Sequence, residues 1–197
     1  MVEPDRNGHP NLVQQVRKYL KSILPKSAEV YAQHIHRLDR PVSGVILFAR
    51  QKDVLKNLSE QFAERKVKKY YQALTLQPPP KICGQLENWH YKEKKKAVII
   101  NEPNANAEKV ILNYSVQKWI DRWLWNIELH TGKYHQIRAQ LAAAGCPIIG
   151  DVLYNSTAPY KQDSIALHAY KLIFSHPITG ETITVEKQNN FFSDINA

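Results

Sequence analysis

Residues 123–130 narrow the choice of fold more than any other stretch: Trp123, Trp125, Ile127 and Leu129 alternate with Leu124, Asn126, Glu128 and His130. A period of two belongs to a β-strand with one face turned toward a core, and one-sided strands belong to antiparallel sheets. Further strand patterns flank this one. Residues 70–76 stop at Pro78-Pro79-Pro80, which cannot donate ladder hydrogen bonds; 97–100 and 110–116 are separated by a turn-prone stretch, and 167–174 and 182–185 surround a turn at 177–180. The apolar run 45–49, behind Gly44, predicts a short buried strand. Helical spacing marks three segments. Residues 11–24 place Leu12, Val13, Val16, Leu20, Ile23 and Leu24 on one stripe, with Asn11 as N-cap and Pro25 as stop. Residues 52–66 do the same with Val54, Leu55, Leu58 and Phe62, and 134–144 bury Ile137, Leu141 and Ala144 before exiting at Gly145. The expected class is α+β: a mixed, mainly antiparallel sheet core with flanking helices.

With 197 residues and no internal repeat or linker, the chain is expected to form one domain. No run approaches the ~18 apolar residues of a membrane span, and the first residues lack the basic and apolar regions of a secretory signal. Two cysteines, Cys83 and Cys146, are too few for a disulfide framework and fit a reducing cytoplasm. The charge points outward: 27 Lys and Arg against 18 Asp and Glu give +9, a balance that attracts polyanions.

Two segments concentrate chemistry. His36-Arg37-Leu38-Asp39-Arg40-Pro41-Val42-Ser43-Gly44 is a polar loop leading into an apolar run, a place where a rigid scaffold presents functional groups. Taken alone, this loop reads as surface chain in which Asp39 caps or pairs with a neighbour. Residues 129–138, Leu-His-Thr-Gly-Lys-Tyr-His-Gln-Ile-Arg, run from strand through turn into helix, where His135 and Arg138 share a face. Two basic runs, 65–69 and 92–96, are candidate phosphate contacts, the second beside Trp89, His90 and Tyr91. Trp119, Trp123 and Trp125 read as core.

Together these segments resemble the RluA-type family of RNA pseudouridine synthases. The family's HRLD-x-x-[ST]-SG-like loop matches His36 to Gly44, and its K-x-Y-x-A segment matches Lys69-Tyr70-Tyr71-Gln72-Ala73. Its L-x-TG-[RK]-x-HQIR motif matches Leu129 to Arg138, P-I-x-GD matches Pro147 to Asp151, and a late L-H-A…HP-x-TG pattern matches Leu167 to Gly180. Five motifs in order are far more specific than any one. The resemblance implies isomerisation of uridine to pseudouridine in structured rRNA or tRNA, with no cofactor and no metal. It implies that Asp39 is the essential carboxylate, acting on the sugar as nucleophile or base. Arg138 is expected to orient and ionise Asp39 through a bidentate contact, and Tyr71 to stack on the uracil and relay a proton. Arg37 is expected to fill the gap left by an extruded nucleotide. His36, Arg40, His135 and Lys69 complete the expected RNA-binding set, with Leu167 and Ile149 as apolar walls. The chain is expected to act as a cytoplasmic monomer.

The match has departures. Val42 stands where threonine is common, and Lys133-Tyr134 where Arg-Thr is common. Only Gly8-His9-Pro10 echoes the family's opening strand, so residues 1–197 are expected to form a catalytic domain lacking that strand and any accessory RNA-binding domain. Two other classes compete. One is an inactive RNA-binding or RNA-folding protein of the same fold. The other is a two-carboxylate glycoside hydrolase, which needs a second acid at about 5–10 Å where the expected partner of Asp39 is an arginine.

Overall fold

A computed structural model of the protein describes residues 11–191, so the Gly8–Pro10 echo of an opening strand lies outside the described residues. In chain order the elements are α1 (Leu12–Ile23), β1 (Gln33–His34), β2 (Ser43–Gly44), β3 (Phe48–Ala49), α2 (Lys52–Ala63), β4 (Lys68–Thr75), β5 (Cys83–Glu93), β6 (Lys96–Ile100), β7 (Glu108–Trp119), β8 (Arg122–Leu129), α3 (Gln136–Ala143), β9 (Leu167–Ser175) and β10 (Thr182–Glu186). Seven strands pair in the order β10-β9-β4-β8-β7-β5-β6, all antiparallel; β2 joins β9 in parallel and completes an eight-stranded sheet. The expected α+β class is what the chain adopts.

The alternation in β8 sets the core face. Trp125, Ile127 and Leu129 are buried beside Ala73 and Tyr71 of β4 and Val116, Tyr114 and Leu112 of β7. Ile137 and Leu141 of α3 join the same cluster. On the other face polar side chains pair across strands: Gln72 donates to Asn126 at 2.8 Å, and Gln85 to Asn113 at 3.0 Å. Trp123 is only half-buried, and Leu124 of the opposite alternation is buried instead. Of the three tryptophans expected in the core, Trp125 is fully buried, whereas Trp119 and Trp123 pack against the cluster from its edge.

The helix expected over 11–24 forms with Asn11 as its cap, accepting from the Gln14 N–H at 2.9 Å. Three expectations need correction. The run 45–49 is not a continuous strand: only Phe48–Ala49 pairs, with Gln33–His34, while Val45 and Leu47 pack against the cluster of Leu58, Val67, Leu172 and Phe174. The chain leaves β9 after Gly44 on its way to α2, so packing between α2 and the sheet, rather than a ladder, buries this run. Second, β5, eleven residues long, has no counterpart in the sequence reading; pairing on both flanks, with β7 and β6, overrides its polar composition. Third, α3 starts at Gln136 rather than 134 and is buried nearly all round, polar residues included.

Gly44 is where the loop and sheet meet. Its φ is +134°, and a Cβ there would lie 2.3 Å from the Ala169 carbonyl oxygen. Gly44→Ala is therefore expected to destabilise the fold by about 3 kcal/mol, read as a lower urea midpoint with an unchanged slope.

Candidate active site

The 36–44 loop is held at both ends. His36 Nε2 accepts the Leu47 N–H at 3.1 Å, and its ring stacks on Phe62 with centroids 4.8 Å apart. At the other end His168 faces the Lys187 carbonyl through Nε2 at 2.9 Å, so Nε2 carries the proton and Nδ1 accepts from Ser43 Oγ at 2.7 Å. Thus the late Leu167-His168-Ala169 motif is a clamp on the early loop. Between the clamps the Val42 N–H closes a turn onto the Asp39 carbonyl at 2.9 Å.

Burial, with Lys69 and His34 adding, pushes His36 down to about 4 from 6.5, which suits its role as acceptor. The folded protein resists protonation of this ring while the unfolded chain accepts it. Stability is therefore expected to fall as pH drops from about 6.5 to about 4 and to level off below. Urea midpoints measured across that window check this, and the loss should shrink in His36→Asn.

Arg37, Leu38 and Asp39 line a cavity of about 430 Å³, within the range of small-molecule sites. Strand β4 supplies Lys69 and Tyr71, two residues apart and hence on one face. Opposite them β9 carries an extra residue, Tyr170, where the register shifts between Tyr70 and Tyr71; such bulges re-aim side chains next to sites. Tyr70 faces the other way, its hydroxyl toward Glu128 at 3.4 Å. The Tyr71 hydroxyl has no hydrogen-bond partner among the described residues, and burial, with the nearby Asp39 charge, raises its pKa well above the ordinary phenol value.

Helix α3 brings Arg138 to the same cavity, 4% exposed. Its Nη1 lies 3.3 Å from Asp39 Oδ2. Its bidentate partner, however, is Asp151: Nε to Oδ2 is 2.7 Å and Nη2 to Oδ1 is 2.9 Å. The expected two-point contact with Asp39 is therefore a single contact, because Asp151, 1% exposed, already occupies the guanidinium's other edge. Gly150 makes this possible: with φ at +85°, a Cβ there would lie 2.6 Å from the Tyr160 Cβ.

Burial raises the Asp39 pKa, and the Arg138 guanidinium opposes that shift without cancelling it. His135 is pushed down to about 4, by burial first and Arg138 second, so it faces Asp39 as a neutral ring with Nε2 3.8 Å from Oδ2. Five side chains lining the cavity are cationic (Arg37, Arg65, Lys69, Lys133, Arg138) and one, Asp39, is acidic. Lys133 is paired with Glu108. The arrangement offers one carboxylate oxygen, a free phenol and a cationic rim to an anionic ligand. Among the described residues, no group of three or more His, Cys, Asp or Glu side chains is disposed to hold a metal ion.

The RNA pseudouridylate synthase family model matches residues 4–143, which include the Asp39 loop, Tyr71 and Arg138. The chain is also 34% identical over 172 residues to the dual-specificity RNA pseudouridine synthase RluA of Haemophilus influenzae, covering 82% of this chain and 75% of that one. The chain belongs to the RluA-type RNA pseudouridine synthases. Its resemblance to the dual-specificity RluA of Escherichia coli is 29% identity over 97% of this chain and 90% of that protein. With ribosomal large subunit pseudouridine synthase C of Buchnera aphidicola it shares 32% identity but spans only 56% of that longer protein. Human RNA pseudouridylate synthase domain containing 4 superposes with a TM-score of 0.77 at 25% identity, covering 95% of this chain and 82% of that one.

Of the residues singled out from sequence, the structure brings His36, Arg37, Asp39, Lys69, Tyr71, His135, Arg138 and Leu167 around one cavity. Arg40 instead lines an adjoining cleft with Pro41, Arg138, Asp151 and Tyr160. Ile149 is buried in the main core and does not line the cavity. Of the basic run 65–69, Arg65 and Lys69 reach the cavity, Val67 is buried, and Lys66 pairs with Glu64 at 2.6 Å. The 92–96 run caps the hairpin between β5 and β6, with Lys92 Nζ 4.7 Å from the centre of the Tyr134 ring. In the sequence Asp151 stands out only as the last residue of the Pro147–Asp151 motif, with no role attached. The Gly150-Asp151 pair is the available signal, but only the fold shows which cation it meets.

Proposed function

We propose that this chain isomerises uridine to pseudouridine in structured RNA, rRNA or tRNA, with Asp39 as the carboxylate that meets the ribose. The observation that carries this reading is the half-buried Asp39 at the cavity, with Arg138 and His135 both on Oδ2 and no hydrogen bond to Oδ1 among the described residues. An oxygen so presented suits attack on, or proton removal from, a sugar that enters the cavity.

The reaction breaks the bond between the ribose and N1 of uracil, turns the base, and forms a bond from ribose to C5, with a proton leaving C5 and another reaching N1. Atoms and electrons balance without an outside reductant or oxidant, so the chain's own groups suffice. Tyr71 is suited to stack on the freed uracil, and its hydroxyl to relay a proton, giving up its own toward N1 as it takes the one from C5. A uridine within folded RNA must first leave its stack, at a cost of a few kcal/mol. Arg37, exposed at the rim, is suited to fill the space left behind, and Arg65 and Lys69 to hold the flanking phosphates.

The test is incubation of the purified protein with unmodified tRNA and rRNA transcripts, followed by mapping of pseudouridine. New pseudouridine at discrete positions is expected. Tight RNA binding with no product would turn the reading toward an RNA-binding protein of the same fold.

A further inference from the structure

Tyr154 lines neither the cavity nor the adjoining cleft, yet it touches both groups that face Asp39. It ends a single 3-10 turn, Val152–Tyr154, that follows Asp151 directly, and it is 7% exposed. The Arg138 guanidinium carbon stands 5.1 Å from the centre of its ring, in the position of a cation over an aromatic face. Its hydroxyl oxygen accepts the Ala97 N–H at 2.8 Å and lies 3.1 Å from His135 Nδ1. The hydroxyl has one proton to give, and among the described residues His135 Nδ1 is the acceptor within its reach, so that proton goes to Nδ1. The imidazole must then carry its own proton on Nε2, the nitrogen 3.8 Å from Asp39 Oδ2.

The backbone supports a deliberate placement of that ring. His135 sits in the left-handed region, φ 53° and ψ 24°, which a residue with a Cβ adopts only when its surroundings hold it there. Tyr134 stacks on one side of the ring with centroids 3.8 Å apart, and Tyr154 meets it edge-on at 5.8 Å. The opposite proton placement on His135 would aim a lone pair at a carboxylate.

We propose that Tyr154 is a positioning residue for the reaction: its hydroxyl fixes His135 as the Nε2–H tautomer while its ring seats Arg138, so that two donors face one oxygen of Asp39 and the other oxygen is left for the ribose. The part concerning the ribose rests on the function proposed above; the part concerning the tautomer does not. The segment from Gly150 to Tyr154 thereby supplies both the anchor of Arg138, through Asp151, and the platform beneath it.

Two measurements test this. Two-bond ¹H–¹⁵N correlation on histidine-labelled protein, without RNA, is expected to show His135 as the Nε2–H tautomer in the parent and a mixture in Tyr154→Phe. Turnover on unmodified tRNA and rRNA transcripts is expected to fall about tenfold in Tyr154→Phe with KM changed less than twofold, the size of one hydrogen bond lost through a neighbour. The double variant Tyr154→Phe/His135→Ala should be no slower than His135→Ala alone. The Nδ1–H tautomer in the parent, parental turnover in Tyr154→Phe, or losses that multiply in the double variant would each overturn the proposal. A parent that makes no pseudouridine would defeat the functional reading instead, and the tautomer measurement would still decide the assignment of Tyr154.

Discussion

Asp39→Asn is expected to abolish pseudouridine formation, by about 10⁴-fold or more, while leaving the protein at least as stable as the parent. The two halves of this expectation share one cause. Burial raises the Asp39 pKa despite the Arg138 guanidinium beside it, so the folded state favours the protonated form. A carboxyl group raised in this way contributes stability at low pH and loses it as pH rises past the ordinary value of 3.8. At neutral pH the ionised group is held at a cost, as expected of a group retained for chemistry rather than for folding. The asparagine side chain keeps the shape and an acceptor for Arg138 Nη1, and removes the charge. Thermal melting and product formation on unmodified transcripts read the two halves separately. In the parent, turnover should fall as pH is lowered through the raised Asp39 pKa. An Asp39→Asn variant that kept a tenth of parental turnover would reject the assignment.

Arg138→Ala is the second large effect, and here stability and activity should fall together. The guanidinium is shared between Asp39 and Asp151, and Asp151 is almost fully enclosed. Removing the cation leaves a buried carboxylate unpaired, which costs about 3–5 kcal/mol. Turnover is expected to drop by about 10³-fold, as for loss of one preorganised donor. RNA binding should survive within a few fold, because Arg37, Arg65 and Lys69 remain on the rim. Arg138→Lys keeps the charge but cannot bridge both carboxylates, so it should be more stable than the alanine variant yet nearly as slow. Urea unfolding, filter binding and turnover, all measured below the melting temperature, separate these terms. Near-parental turnover in Arg138→Ala would show that the ion pair does not matter to the reaction.

Much of the site is legible in the sequence because its residues sit in contiguous motifs. The polar loop at 36–44 announces itself by charge against an apolar run, and the register with Lys69 selects Tyr71 over Tyr70. Arg138 is legible as a residue but not as a contact: from sequence it pairs with Asp39 at two points, and in the structure it is clasped by Asp151. That partner is tertiary, joined across thirteen residues by a turn and the end of a helix, and no local pattern reports it. Tyr154 is invisible for the same reason, since its role depends on Ala97 of β6 and the His135–Arg138 segment arriving from two distant parts of the chain. In the fold, the strands with clear alternation read correctly. Strand β5 escapes because its composition is polar and its stability comes from neighbours on both sides. The run 45–49 misleads because continuous apolar character looks the same whether a ladder or a helix buries it.

The most direct test of the account is a map of pseudouridines in total RNA from cells lacking this gene and from the same cells given back either the parent or Asp39→Asn. At least one site should vanish on deletion, return with the parent, and stay absent with the asparagine variant. A map unchanged by deletion, or a site restored by Asp39→Asn, would contradict it.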